Sequence, residues 1–176
     1  MAFVHNFKQS MEVGKRGEEH IISYLQSSPK VVNLKDVRDD RTFQKIDVDF
    51  LMTLDDDVEY KIEVKTDTYK SGNIYYETIS SQESDSEGCF EKTKADYLFY
   101  YFINWGYLYI FSMPEYKEWF GKMEKEFIEK GYQKQVKNRG YKNSQYTSIG
   151  YAYPVSILEE LNPSWMRKME YNYEVM

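Results

Sequence analysis

Two short stretches whose residues alternate with period two constrain this chain most: residues 45–52 (KIDVDFLM) and 58–65 (VEYKIEVK), joined across the aspartates of 53–57 (TLDDD). Read as strands, the first puts Lys45, Asp47, Asp49 and Leu51 on one face and Ile46, Val48, Phe50 and Met52 on the other. The second divides the same way. Val58, Tyr60, Ile62 and Val64 form its apolar face, and Glu59, Lys61, Glu63 and Lys65 its charged one. With Asp55 to Asp57 as a hairpin loop, Asp49 falls opposite Glu63 and Asp47 opposite Lys65, so carboxylates and an ammonium crowd one patch.

Carboxylate oxygens suit a hard cation such as Mg²⁺, which keeps positions open for water and a substrate phosphate, and a neighbouring lysine can orient or deprotonate the attacking water. The competing reading is a solvated hairpin whose opposite charges pair across the strands, each pair adding about 0.2–1 kcal/mol. The segment VGKRGEEHIISYLQ, from Val13, separates the two. Its apolar residues recur at helical spacing, and Gly14, Ile21 and Ile22 lie three or four positions from Glu18, with Leu25 a turn further on. Glu18 therefore sits within the apolar stripe. Glu19, flanked at the same spacings by Lys15, Arg16, Ile22 and Ser23, has the neighbours of a solvent-facing glutamate. A carboxylate turned toward a core needs a partner or a cation, unless it is partly exposed near the helix start.

These segments together resemble the PD-(D/E)XK nuclease superfamily, in particular its small Holliday-junction-resolvase-like branch. The match rests on GEEHIISYL from Gly17 to Leu25, on Asp49 before an apolar run, and on Glu63, Val64 and Lys65 as E-V-K. The resemblance implies an α/β fold with a mixed central β-sheet flanked by helices. It also implies that Glu18, Asp49 and Glu63 hold Mg²⁺, with Mn²⁺ able to substitute, and that Lys65 serves the nucleophilic water. Asp47 is either an auxiliary ligand or takes the role assigned to Asp49. The proline of the superfamily name is absent, since Val48 precedes Asp49. The likeness spans about Val13 to Leu161 of one expected domain.

Downstream, SGNIYYETIS reads as a strand that puts Glu77 where similar phage and bacterial nucleases carry a glutamate near the site; an ordinary edge charge is the other reading. Residues 97–103 are almost all apolar or aromatic, as in a strand covered on both faces, and a turn at NWG with Gly106 leads to a second strand from Tyr107. A further strand is expected near Val31 to Asn33. A helix after Pro114 carries Tyr116, Phe120, Met123 and Phe127 on one face, and a short proline-started helix stops at Asn162-Pro163. SQESDSEG reads as a mobile rim loop, and residues 166–176 as a docking tail or a disordered end.

Composition then removes other chemistries. The single Cys89 excludes an internal disulfide or a Cys-based zinc site, and His5 and His20 alone do not suit a zinc hydrolase or a histidine triad. No apolar run approaches the ~20 residues of a membrane span and no signal-peptide pattern opens the chain, so a cytoplasmic location is expected. A formal net charge of −6 opposes a polyanion at long range. Against it stands the stretch from Lys130 to Tyr146, where Lys130, Lys134, Lys137, Arg139 and Lys142 occur without an acid. That stretch suits phosphate contacts, or else a solvated helix end and loop. The expectation is a Mg²⁺-dependent, homodimeric DNA endonuclease acting on branched DNA such as four-way junctions, with roles in recombination or repair. A restriction- or repair-type nuclease, or a non-catalytic DNA-binding or assembly module on the same fold, are the alternatives.

Overall fold

The computed structural model describes residues 7–139 and 144–173. Helix α1 (Phe7–Ser27) leads into β1 (Val31–Asp36), the short α2 (Arg41–Gln44), β2 (Phe50–Leu54) and β3 (Glu59–Asp67). Then come β4 (Asn73–Ser81), β5 (Ser86–Glu87), α3 (Cys89–Lys92), β6 (Tyr97–Phe102), β7 (Tyr107–Ser112) and α4 (Met113–Glu129). The chain finishes with β8 (Gln133–Arg139), β9 (Gln145–Pro154), α5 (Ser156–Leu161) and β10 (Met166–Glu170). The backbone divides into two compact units. One comprises Val13–Lys70, Thr93–Tyr116 and the segment from Ser164; the other comprises Ser71–Lys92, Lys117–Pro163 and the start of α1.

The first unit holds a six-stranded mixed sheet in the order β1-β2-β3-β6-β7-β10. All neighbours are antiparallel except β3 and β6, which run parallel with Glu63 beside Leu98 and Lys65 beside Tyr100. Every residue from Leu98 to Phe102 is buried, as the unbroken apolar run predicts, and Gly106 takes the positive φ its turn needs. On one face Ile21 and Leu25 of α1 pack with Phe50, Met52, Ile62, Val64, Phe99, Tyr101 and Leu108. On the other, Val37, Val48, Leu51 and Ala95 form a second cluster. Leu51 is therefore core, where alternation alone puts it on a charged face. Residues 166–170 are no loose tail. They form the edge strand β10 against β7, from Met166 opposite Phe111 to Glu170 opposite Tyr107.

The second unit is built on an antiparallel sheet in the order β5-β4-β9-β8. Rings fill its core: Tyr76 stacks on Phe120 at 3.7 Å between centroids, and Phe127 lies 4.7 Å from Tyr153. Within this unit the buried stripe of α4 holds Phe120 and Phe127, with Met123 only partly covered, while Tyr116, at the start of the helix, stacks on Phe111 of the first unit's sheet. β4 carries Glu77 as expected, but in this separate sheet. SQESDSEG closes a tight turn between β4 and β5, pinned where Glu83 accepts from the Thr147 N–H and hydroxyl at 2.8 Å each. Among the described residues, no helix is long and apolar enough to cross a membrane.

Candidate cation site at the β2–β3 hairpin

The hairpin forms with the register the spacing predicts. Phe50 pairs with Ile62 and Thr53 with Glu59, and the loop closes with Leu54 donating to the Val58 carbonyl at 3.0 Å and Asp57 at φ 62°. Continuing that register one residue places Asp49 opposite Glu63. The Asp49 N–H donates to the Ile62 carbonyl at 2.8 Å, its carbonyl accepts from Val37 at 3.0 Å, and its carboxylate accepts from the Val64 N–H at 2.8 Å. Two bonds from β3 and one from Val37, just past β1, hold this one residue.

Asp47 is positioned otherwise. The extended conformation does not reach it, because residues 45–48 turn, with Asp47 at φ 43°. The Thr93 hydroxyl donates to the Asp47 carbonyl at 2.7 Å and the Lys94 N–H to the Ile46 carbonyl at 2.9 Å, which locks the turn. Asp47 therefore does not face Lys65 across a ladder, and Val48 joins Leu51 rather than Phe50. Asp47 still lines the same pocket, arriving from a loop.

Glu18 comes from α1. Gly17, just before it, is buried against β3, and a Cβ there would stand 1.8 Å from the Thr66 hydroxyl oxygen. That contact lets the helix approach the strand closely enough to put Glu18 beside the Glu63 strand. Glu18 is 22 % exposed while Glu19 faces solvent, as their helical neighbours predict.

These residues line a pocket of about 210 Å³ together with Arg38, Gln44, Val48, Val64 and Lys65. Its floor is Glu63, only 4 % exposed. Burial pushes the Glu63 carboxyl up to about 8; Lys65, whose Nζ lies 2.9 Å from Glu63 Oε1, opposes the shift, and the neighbouring Asp49 charge adds to it. Burial also raises the Asp49 carboxyl, against the Val64 N–H and the Lys65 charge. Asp49 stands close enough for its charge to oppose ionisation of Glu63. Such a pair ionises fully only when a cation replaces the proton between them.

Arg38, which the sequence reading passes over, closes one side. It ion-pairs with Glu18 and, at 2.5 Å, with Asp36, and its guanidinium carbon lies 5.1 Å from the Phe50 ring centre. The hydrogen bond to Asp36, with Glu18 adding, raises its pKa above the ordinary arginine value. The signal in the sequence was an arginine flanked on both sides by acids, Asp36, Asp39 and Asp40. With Glu18 engaged this way, no three carboxylates among the described residues stand close enough to hold an ion as they are. The donor chemistry nonetheless fits one: four carboxylates, one buried and three partly buried, and no sulfur or imidazole line the pocket.

The remaining expected residues lie in the other unit. The Glu77 carboxylate accepts weakly from the Cys89 N–H at 3.5 Å. Residues 133–139 form β8, where a helix end and loop was one of the readings. Lys130 pairs with Glu126 at 2.6 Å, Lys134 donates to the Gly131 carbonyl at 2.7 Å, and Lys137 is exposed. The side chain of Arg139 and all of Lys142 lie outside the described residues. No protein-family model, no curated protein and no solved structure matches this chain.

Proposed function

We propose that the chain is a Mg²⁺-dependent DNA endonuclease with a resolvase-like PD-(D/E)XK core, hydrolysing phosphodiester bonds in branched DNA. One observation supports it most: Asp49 and Glu63, side by side on adjacent strands, share a pocket with Glu18 and have Lys65 at 2.9 Å from Glu63. Asp49, Glu63 and Glu18 would hold the cation, with Asp47 auxiliary. When bound, it supplies a positive charge that neutralises the phosphate and acidifies a water molecule.

The chain's own residues do the rest. Lys65, half exposed at the mouth of the pocket, donates to the attacking water and holds it in line with the phosphorus. The water oxygen forms a bond to phosphorus as the bond to the leaving sugar oxygen breaks; one water proton passes to solvent, and the leaving oxygen takes up a proton from solvent to become a hydroxyl. Asp49, fixed by its three hydrogen bonds, keeps the reacting groups in one geometry.

The test is cleavage of labelled linear, single-stranded, flapped and four-way DNA with Mg²⁺ or Mn²⁺. Four-way junctions are the expected preferred substrate. Lys65→Ala and Glu63→Gln are expected to lower the rate at least ~10²-fold with DNA binding retained, the scale of loss when a transition-state contact is removed. Near wild-type cleavage by either variant would overturn the assignment. Preference for linear duplex or flaps would indicate the restriction or repair type, and binding without cleavage a non-catalytic module.

A further inference from the structure

Arg38 makes two kinds of contact that differ in how readily they can be given up. Toward Asp36 it is bidentate: Nε donates to Oδ1 at 2.9 Å and Nη2 to Oδ2 at 2.5 Å. The Arg38 backbone N–H also bonds Asp36 Oδ1 at 3.1 Å, and the Arg38 carbonyl accepts from Gln44 at 2.7 Å. Phe50 lies under the guanidinium. Nη1 instead holds Glu18 Oε2, and both residues line the pocket.

We propose that Arg38 is an exchangeable counter-ion, competing with the divalent cation for Glu18 and, once displaced, presenting its Nη1 edge to a phosphate oxygen of the substrate. This rests on the cation site proposed above. The physical argument is one of charge and anchoring. A cation that coordinates Glu18 competes with the guanidinium for its negative charge, and the doubly charged ion, already attracted by Asp49 and Glu63, has the stronger claim. Losing Glu18 leaves the guanidinium seated, because Asp36, its own backbone and Phe50 still hold it. A planar, permanently charged donor fixed at the rim of a carboxylate pocket matches a phosphate oxygen better than a lysine would. The exchange keeps the pocket near neutrality at each stage, and couples cation loading to substrate grip.

Calorimetric titration of the full chain with Mn²⁺ and no DNA tests this without recourse to activity. Arg38→Gln is expected to bind Mn²⁺ about tenfold more tightly than wild type, a gain of about 1.4 kcal/mol. Arg41→Gln removes the same charge from exposed α2, outside the pocket lining, and is expected to match wild type. In wild-type protein, Mg²⁺ should shift the Arg38 side-chain ¹⁵N resonance, assigned by its loss in Arg38→Gln. Equal or weaker Mn²⁺ binding by Arg38→Gln, equal tightening by Arg41→Gln, or an unmoved resonance would overturn the exchange while leaving the cation site standing. No binding by any of the proteins would overturn both. Should Arg38→Gln fail to fold, Arg38→Lys, which keeps the charge but cannot bridge both carboxylates, is expected to tighten binding by a smaller factor; wild-type affinity would overturn the proposal.

Discussion

At the scale of single residues, Glu63 is the most costly group in the site. Its folded-state pKa of about 8 lies above the ordinary glutamate value of 4.5, so between those values the folded chain binds a proton that the unfolded chain has released. Stability from this group is therefore present at acidic pH and is lost as pH rises through about 8. The melting temperature of the cation-free wild type is expected to fall from pH 5 to pH 9, and Glu63→Gln, which carries no such proton, to flatten that slope. Cation binding displaces the same proton, so Mg²⁺ affinity should rise with pH up to about 8 with proton release in calorimetry. A slope unchanged by Glu63→Gln would place the proton elsewhere. Residue-level periodicity read this site well where backbone geometry is regular: it put Asp49 opposite Glu63 and chose Glu18 over Glu19. Arg38 and the displaced Asp47 escaped it because both depend on contacts with segments distant in sequence, Glu18 in one case and Thr93 and Lys94 in the other.

At the scale of elements, β8 changes how the basic stretch can work. In a strand, side chains three apart point to opposite faces, so Lys134 and Lys137 do not form one patch. Lys137 shares its face with Gln133 and Gln135, all exposed, whereas Lys134 lies on the side of the half-buried Val136 and Asn138. Lys130 is already paired with Glu126. Lys137→Gln is thus expected to weaken DNA binding similarly across sequences and reduce the salt slope by about 1, with Lys134→Gln close to wild type, measured by fluorescence anisotropy over a salt series. Equal effects of the two would move the DNA surface off the β8 face. The strands that were legible include β1, expected near Val31 to Asn33, and those with long apolar runs or strict alternation: β2, β3, β4, β6 and β7. β8 and β10 were not, because their sequences, QKQVKNR and MRKME, are mostly polar and become strands only by pairing with β9 and β7. The division into two sheets was equally hidden, since strand pairing is a long-range property that local patterns do not encode.

At the scale of the whole molecule, the question is how a chain of net charge −6 with one D…E-V-K set would cut two strands of a junction. On the proposed function, a single pocket would act on a single phosphate, so paired incisions would need a second copy of the chain, and a two-fold axis would bring two identical sites to opposed strands of like polarity. Two-fold dimers are also the commonest assembly. The negative charge lies partly in the pocket carboxylates, which Arg38 and Lys65 offset in part and a bound cation would offset further, so electrostatic repulsion between copies should ease with Mg²⁺ and with salt. Light scattering at micromolar concentration is expected to report twice the chain mass, with the dimer fraction rising when Mg²⁺ is added. On a cruciform plasmid the same preparation should release a linear product through paired nicks within one encounter. Glu63→Gln mixed in excess with wild type should then leave single-nicked circles, because mixed dimers carry one working pocket. A monomer by scattering together with unpaired nicks from pure wild type would instead identify an enzyme that cuts one strand at a time.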